Sequence, residues 1–112
     1  MAGGLRRGDI VTVSAPGDYG KPRPAVIVQS DSLRAADSVL VSLLTSTLRD
    51  APIFRLTVEP RADNGLRATS QVMVDKLAAV SRGKCGRVIG RLDQDSMVVL
   101  NRMLSVVLGL AD

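Results

Sequence analysis

The chain has 112 residues, 46% of them hydrophobic and 23% charged, which fits a folded domain able to bury a core without disulfides and excludes a disordered segment. It has no histidine and one cysteine, Cys85, which excludes an internal disulfide, mixed Cys/His zinc sites, Ser-His or Cys-His nucleophile pairs, and nucleases that use imidazoles as acid and base. The net charge of +4 is carried mostly by arginine, whose planar fork suits phosphate or carboxylate, so an anionic partner is favoured over plain solubility charge.

The opening "MAGGLRRGD" is charged, no apolar signal region follows it, and no run is long enough to span a bilayer. The expectation is a cytoplasmic protein with no membrane association. Residues 1–112 show no internal repeat or linker and read as a single domain.

"DIVTVS" at 9–14 has the Val/Ile content of a half-buried strand. A break at 15–18, Ala-Pro-Gly-Asp, leads into "GDYGKPRP" at 17–24. This stretch is not a phosphate loop, because Ala15 stands where the first glycine is needed and Pro22 where the hydroxyl is needed. Pro22 and Pro24 each fix their own φ and push the preceding residue into extended backbone. Arg23 is therefore held extended between them, with its guanidinium leaving the chain in a nearly fixed direction. Either this is a stiff turn with solvated charges, or Tyr19, Lys21 and Arg23 are presented to an anionic ligand.

"PAVIVQS" at 24–30 and "SVLVSLL" at 38–44 are the next strands, separated by a Ser-Asp-Ser break. The second ends in three hydroxyls, Thr45, Ser46 and Thr47. They either bond local backbone or supply donors beside Arg23, with Arg49 close behind. "IFRLTVE" at 53–59 precedes Pro60–Gly65, in which Asn64-Gly65 is the strongest tight-turn signal in the chain. "SQVMVDK" at 70–76 follows, its Asp75-Lys76 reading as a cross-strand ion pair or as the polar edge of a site. Shorter strand pieces fall at "LAAV" and "CGRVIG", and "GKCGRVIG" does not match a dinucleotide-binding pattern.

The chain closes with a helix starting at Asp93, whose carboxylate can cap the first turn, with Asp95 adding favourable charge. Met97, Leu100, Leu104, Val107 and Leu108 share one face as a core stripe, and Gly109 offers a left-handed stop. The expected architecture is mainly β: a small, strongly bent antiparallel sheet with a C-terminal helix packed on it.

"RRGDIVTV", "GKPRPAVIVQSD", "VSLLTS", "QVMVDKLAAV" and the closing apolar helix, in that order, resemble the MazF/PemK family of toxin endoribonucleases. The resemblance covers nearly the whole chain. It implies an SH3-like small barrel with a C-terminal helix, acting as a homodimer. It also implies cutting of single-stranded RNA at short sequences, with inhibition by a cognate acidic antitoxin. The family's Arg-Pro arginine falls on Arg23 and its strand-end Thr/Ser on Thr45. Its acidic-Gln pair falls on Asp75-Lys76, and Met73 stands where some members carry an arginine.

With no histidine and no metal-ligand cluster, no metal or other cofactor is expected. The simplest chemistry then uses the 2′-hydroxyl of RNA as nucleophile, with Arg23 and Thr45 as the catalytic groups. Lys21, Ser46, Arg49, Asp75 and Lys76 are candidates for RNA contact, and Tyr19 for base stacking. Two alternatives belong to other classes. One is a gyrase-poisoning toxin resembling CcdB, whose Trp-Gly-Ile ending is replaced here by "VVLGLAD". The other is a non-catalytic SH3-like binding module.

Overall fold

Ile10, Val26, Leu44 and Val72 come from four different strands and are each at most 1% exposed. Register puts them on one face of the sheet, where burial removes their apolar surface from water: Ile10 pairs with Val26, Leu44 pairs with Val72, and Leu44 lies two residues from Ser42, the partner of Val26. The computed structural model describes residues 4–14 and 21–112. The strands are β1 (Asp9–Val13), β2 (Arg23–Ile27), β3 (Ser38–Thr45), β4 (Arg55–Val58), β5 (Ser70–Ser81) and β6 (Cys85–Arg91), followed by helix α1 (Gln94–Val107). All neighbours are antiparallel, in the order β4-β5-β3-β2-β1-β6. The sheet is not closed by strand pairing, so β4 and β6 are its edges.

A register jump in the middle of the sheet bends it. Ser42 pairs with Leu77 but Leu44 pairs with Val72, so residues 73–76 of β5 bulge out. The buried Ser42 hydroxyl pins the bulge by donating to the Met73 carbonyl at 2.7 Å. Two apolar clusters result. Ile10, Val26, Leu44, Leu56, Val72 and Val74 pack against Leu100 and Leu104 of α1. Side chains of the opposite parity, among them Val11, Val13, Ile27, Val39 and Val41, form the other cluster.

The gap between the edges is bridged by the 59–66 loop rather than by a strand ladder. The Arg91 N–H donates to the Asp63 carbonyl at 2.9 Å. Asn64, only 3% exposed, organises the loop from within. Its Oδ1 accepts from the N–H groups of Arg61 and Leu66 at 3.0 Å, and its Nδ2 donates to the Glu59 carbonyl at 2.9 Å. Contact with β6 is backbone to backbone. A Cβ on Gly90 would lie 2.3 Å from the carbonyl carbon of Asn64, and one on Gly65 (φ +70°) would lie 2.2 Å from the Ile89 oxygen.

The "RRGD" stretch braces the same end of β6. Asp9 is buried, pairs with Arg91, and accepts from the Arg6 N–H at 2.9 Å. At the far end of the chain, Asp93 caps α1 as expected, accepting from the Ser96 N–H at 2.7 Å, and Gly109 stops it with φ +73°.

The tight turn expected at Asn64-Gly65 is present, closed by the Asn64 and Gly65 N–H groups donating to the Arg61 carbonyl, within a longer connection that reaches across to β6. Three expectations change. "LAAV" continues β5 through Ser81 instead of forming a separate piece. Ile53 and Phe54 lie in a turn ahead of β4. Leu108 lies beyond the last turn of α1 and is 55% exposed, whereas Met97, Met103 and Val107 join the core edge. Among the described residues, no helix is long and apolar enough to cross a membrane.

Candidate functional site

The register of β2 on β3 aligns Ala25 with Leu43. Carried two residues further, it sets Arg23 beside Thr45, the first residue of one strand next to the last of the other. Both line a groove of about 850 Å³ between the mouth of β2, the end of β3, the 65–70 loop and β6. Buried Leu44 and half-buried Leu66 and Ile89 form its apolar base.

Charge in this groove has one sign. Lys21, Arg23, Arg67 and Arg87 line it, all exposed, and no described carboxylate does. Cations gathered on a concave surface with low-dielectric walls attract polyanions and focus the field on them. Among the described residues, Lys21, Arg67 and Arg87 make no ion pair.

Thr45 is poised as a donor. Its Oγ1 accepts from the Thr47 N–H at 3.1 Å, which fixes the hydroxyl and leaves its hydrogen to be donated outward. The turn that follows is clamped from below. Gln71 accepts from the Arg49 N–H and donates to the Arg49 carbonyl, both at 2.9 Å, and reaches Thr57 Oγ1 at 3.2 Å. Buried Arg55 donates through Nη1 to the Thr47 carbonyl and to Gln71 Oε1, both at 3.3 Å. Its buried Nε finds no partner among the described residues.

Lys21, Arg23, Thr45 and Ser46 are thus brought together as expected from the sequence. Tyr19 lies outside the described residues. Arg49, Asp75 and Lys76 do not line the groove. Arg49 contributes its backbone to the Gln71 clamp, whereas Asp75 and Lys76 are exposed within the β5 bulge, away from the end of β3. Among the described residues, Asp75 and Lys76 form no cross-strand ion pair.

The sequence reading missed Thr12, Ser70, Arg67 and Arg87, which complete the lining. Gly86 was the available signal for Arg87. A Cβ there would lie 2.2 Å from Thr12 Oγ1, so a glycine beside an arginine marks a close strand approach. Cys85 is no activated nucleophile, because burial pushes its thiol above the ordinary cysteine value, with the Arg82 charge only opposing the effect. Among the described residues, no three His, Cys, Asp or Glu side chains gather where they could hold a metal ion.

Comparison with known proteins gives the family and the fold. The family model for PemK-like, MazF-like toxins of type II toxin-antitoxin systems matches residues 6–108. A protein of Mycolicibacterium smegmatis named "Probable endoribonuclease MazF" is 44% identical over 108 residues, covering 96% of this chain and 99% of its own. A mycobacterial endoribonuclease, solved in complex with its cognate antitoxin, superposes with a TM-score of 0.80 at 22% identity over 95% of this chain and 96% of that one. MazF from Deinococcus radiodurans superposes with a TM-score of 0.75 at 18% identity over 94% and 96% of the two chains. At those identities the structural likeness establishes the fold.

Proposed function

The chain belongs to the PemK-like, MazF-like toxins of type II toxin-antitoxin systems, and from that membership we propose that it is an endoribonuclease cutting single-stranded RNA in the cytoplasm at short specific sequences. The observation that carries this reading is the sharing of one groove by Arg23 and Thr45, with no carboxylate among its described lining residues.

The reaction needs no nucleophile from the protein. The ribose 2′-oxygen attacks the adjacent phosphorus, the bond from phosphorus to the 5′-oxygen breaks, and the 5′-oxygen leaves as a hydroxyl. The proton lost from the 2′-hydroxyl passes to solvent, and solvent supplies the one gained by the 5′-oxygen. The product end is a 2′,3′-cyclic phosphate, which water can open.

Negative charge builds on the non-bridging oxygens as the phosphorane forms. Arg23 meets it with a permanently charged fork, and Thr45 donates one hydrogen bond to the same phosphate. Arg23 stabilises charge rather than transferring protons. Lys21 and Ser46 hold the neighbouring backbone, and the apolar base of Leu44, Leu66 and Ile89 offers a surface for base faces. Tyr19, two residues before Lys21 in the sequence, is the candidate for stacking.

The chain acts as a homodimer and is restrained by a cognate acidic antitoxin. This reading is supported by the family, by the antitoxin-bound mycobacterial structure and by the single sign of charge in the groove. Incubating the protein with single-stranded RNA and sequencing the 5′ ends of the products tests the proposal. The expected result is cleavage at one short motif, with 5′-hydroxyl ends, in the presence of a chelator. Intact RNA at high protein concentration would refute it.

A further inference from the structure

Arg87 sits on an irregularity in an edge strand. Val11 pairs with Val88 and Val13 pairs with Cys85, so Gly86 and Arg87 together stand opposite Thr12 alone. Such a bulge breaks the alternation of side chains and re-aims one of them. Gly86 occupies the side where Thr12 Oγ1 leaves no room for a Cβ, and Arg87 lines the groove. Arg67 approaches the same space from the 65–70 loop, just past the buried Asn64 that fixes the loop against β6. Both arginines are exposed, and among the described residues neither has an ion-pair partner. They come from β6 and the 65–70 loop, whereas Arg23 and Lys21 come from the mouth of β2.

We propose that Arg67 and Arg87 form a second phosphate-binding wall, which grips the RNA backbone next to the scissile phosphate held by Arg23 and Thr45. The inference rests on the nuclease reading of the groove. Their task is sequence-independent, because phosphates carry no base information. A strand lying between two arginine walls is held on both sides of the reacting bond, in the ground state as in the transition state. Specificity must then come from groups other than this pair.

The test measures binding of a short mixed-sequence 2′-O-methyl oligoribonucleotide, which cannot be cut, over a range of salt concentrations. For single strands each phosphate contact contributes about 0.7 to the slope of log affinity against log salt. R67A and R87A should each flatten the slope by about that amount, and R67A/R87A by about twice as much. R87K should restore most of the slope, which a merely structural role would not predict. With cleavable RNA, the loss in the alanine variants should fall on KM more than on kcat, and the cleavage motif should stay the same.

An unchanged slope in R67A/R87A would overturn the proposal, and if the wild type still cleaves RNA, the nuclease reading survives on its own. A flattened slope in a protein that cleaves nothing would keep the second wall and remove the nuclease reading. A changed cleavage motif in R67A or R87A would also overturn the proposal, by making the pair a base reader.

Discussion

Gln71 holds the backbone of Arg49 at both its polar groups, accepting from the N–H and donating to the carbonyl at 2.9 Å each. The turn that carries Ser46 and Thr47 therefore hangs from β5, and with it the hydroxyl of Thr45, which takes the Thr47 N–H. Replacing Gln71 by alanine leaves the Arg49 backbone and one Arg55 donor without these partners. Q71A should lose about 1–3 kcal/mol of stability in denaturant titration. Its cleavage rate should also fall, although Gln71 does not line the groove.

Arg23 and Thr45 are expected to separate in size of effect. R23A should cut RNA on the order of 10²–10³ more slowly than wild type. T45V keeps the shape and removes the hydroxyl, so a loss of about 10–100-fold is expected, as for one hydrogen bond to a charged group. T45S should retain most activity. Single-turnover cleavage of one RNA by all three variants checks the ranking, and full activity in R23A would remove the assignment.

Gly90 tests the bridge between the sheet edges. G90A puts a methyl group into the space of the Asn64 backbone, where a Cβ would be 2.3 Å from a carbonyl carbon. The 59–66 loop must then move off β6, at a cost of about 3 kcal/mol. Since the same loop leads into Arg67, RNA affinity should fall together with stability. A variant as stable as wild type would show that the contact is not tight.

Asp93 gives a pH signature. The Ser96 backbone and side-chain hydrogen bonds, aided by Arg61, hold its carboxyl below the ordinary aspartate value. A folded-state pKa below the unfolded one contributes stability that is fully present above pH ~4 and is lost as acid protonates the folded carboxylate. D93A should therefore melt at a lower temperature than wild type at neutral pH. The difference should shrink as pH falls below ~4. A gap that is constant across pH would mean that the charge of the cap does not matter.

Strand positions and the helix cap were legible because they rest on local chemistry: alternating Val and Ile, prolines around Arg23, Asp93 ahead of an apolar stripe. Arg23 and Thr45 could be chosen for the same reason, each being marked by its immediate neighbours. Arg67 could not, since nothing near it states that the 59–66 loop crosses to β6, and for Arg87 the one local sign was the adjoining Gly86. Asp75 and Lys76 fail in the opposite direction. Their strand is right, but a three-residue slip in register against β3, set by packing and by the Ser42–Met73 bond, takes them away from the groove. Register and loop crossings are both long-range properties, set by packing between distant parts of the chain.

The neighbours β1 and β6 lie some eighty positions apart in the chain, yet the groove borders on both. A growing polypeptide that has emerged only as far as β5 already owns its guanidinium and its threonine, but lacks the wall that β6 supplies. The groove is therefore complete only once the last strand has been made and paired with the first.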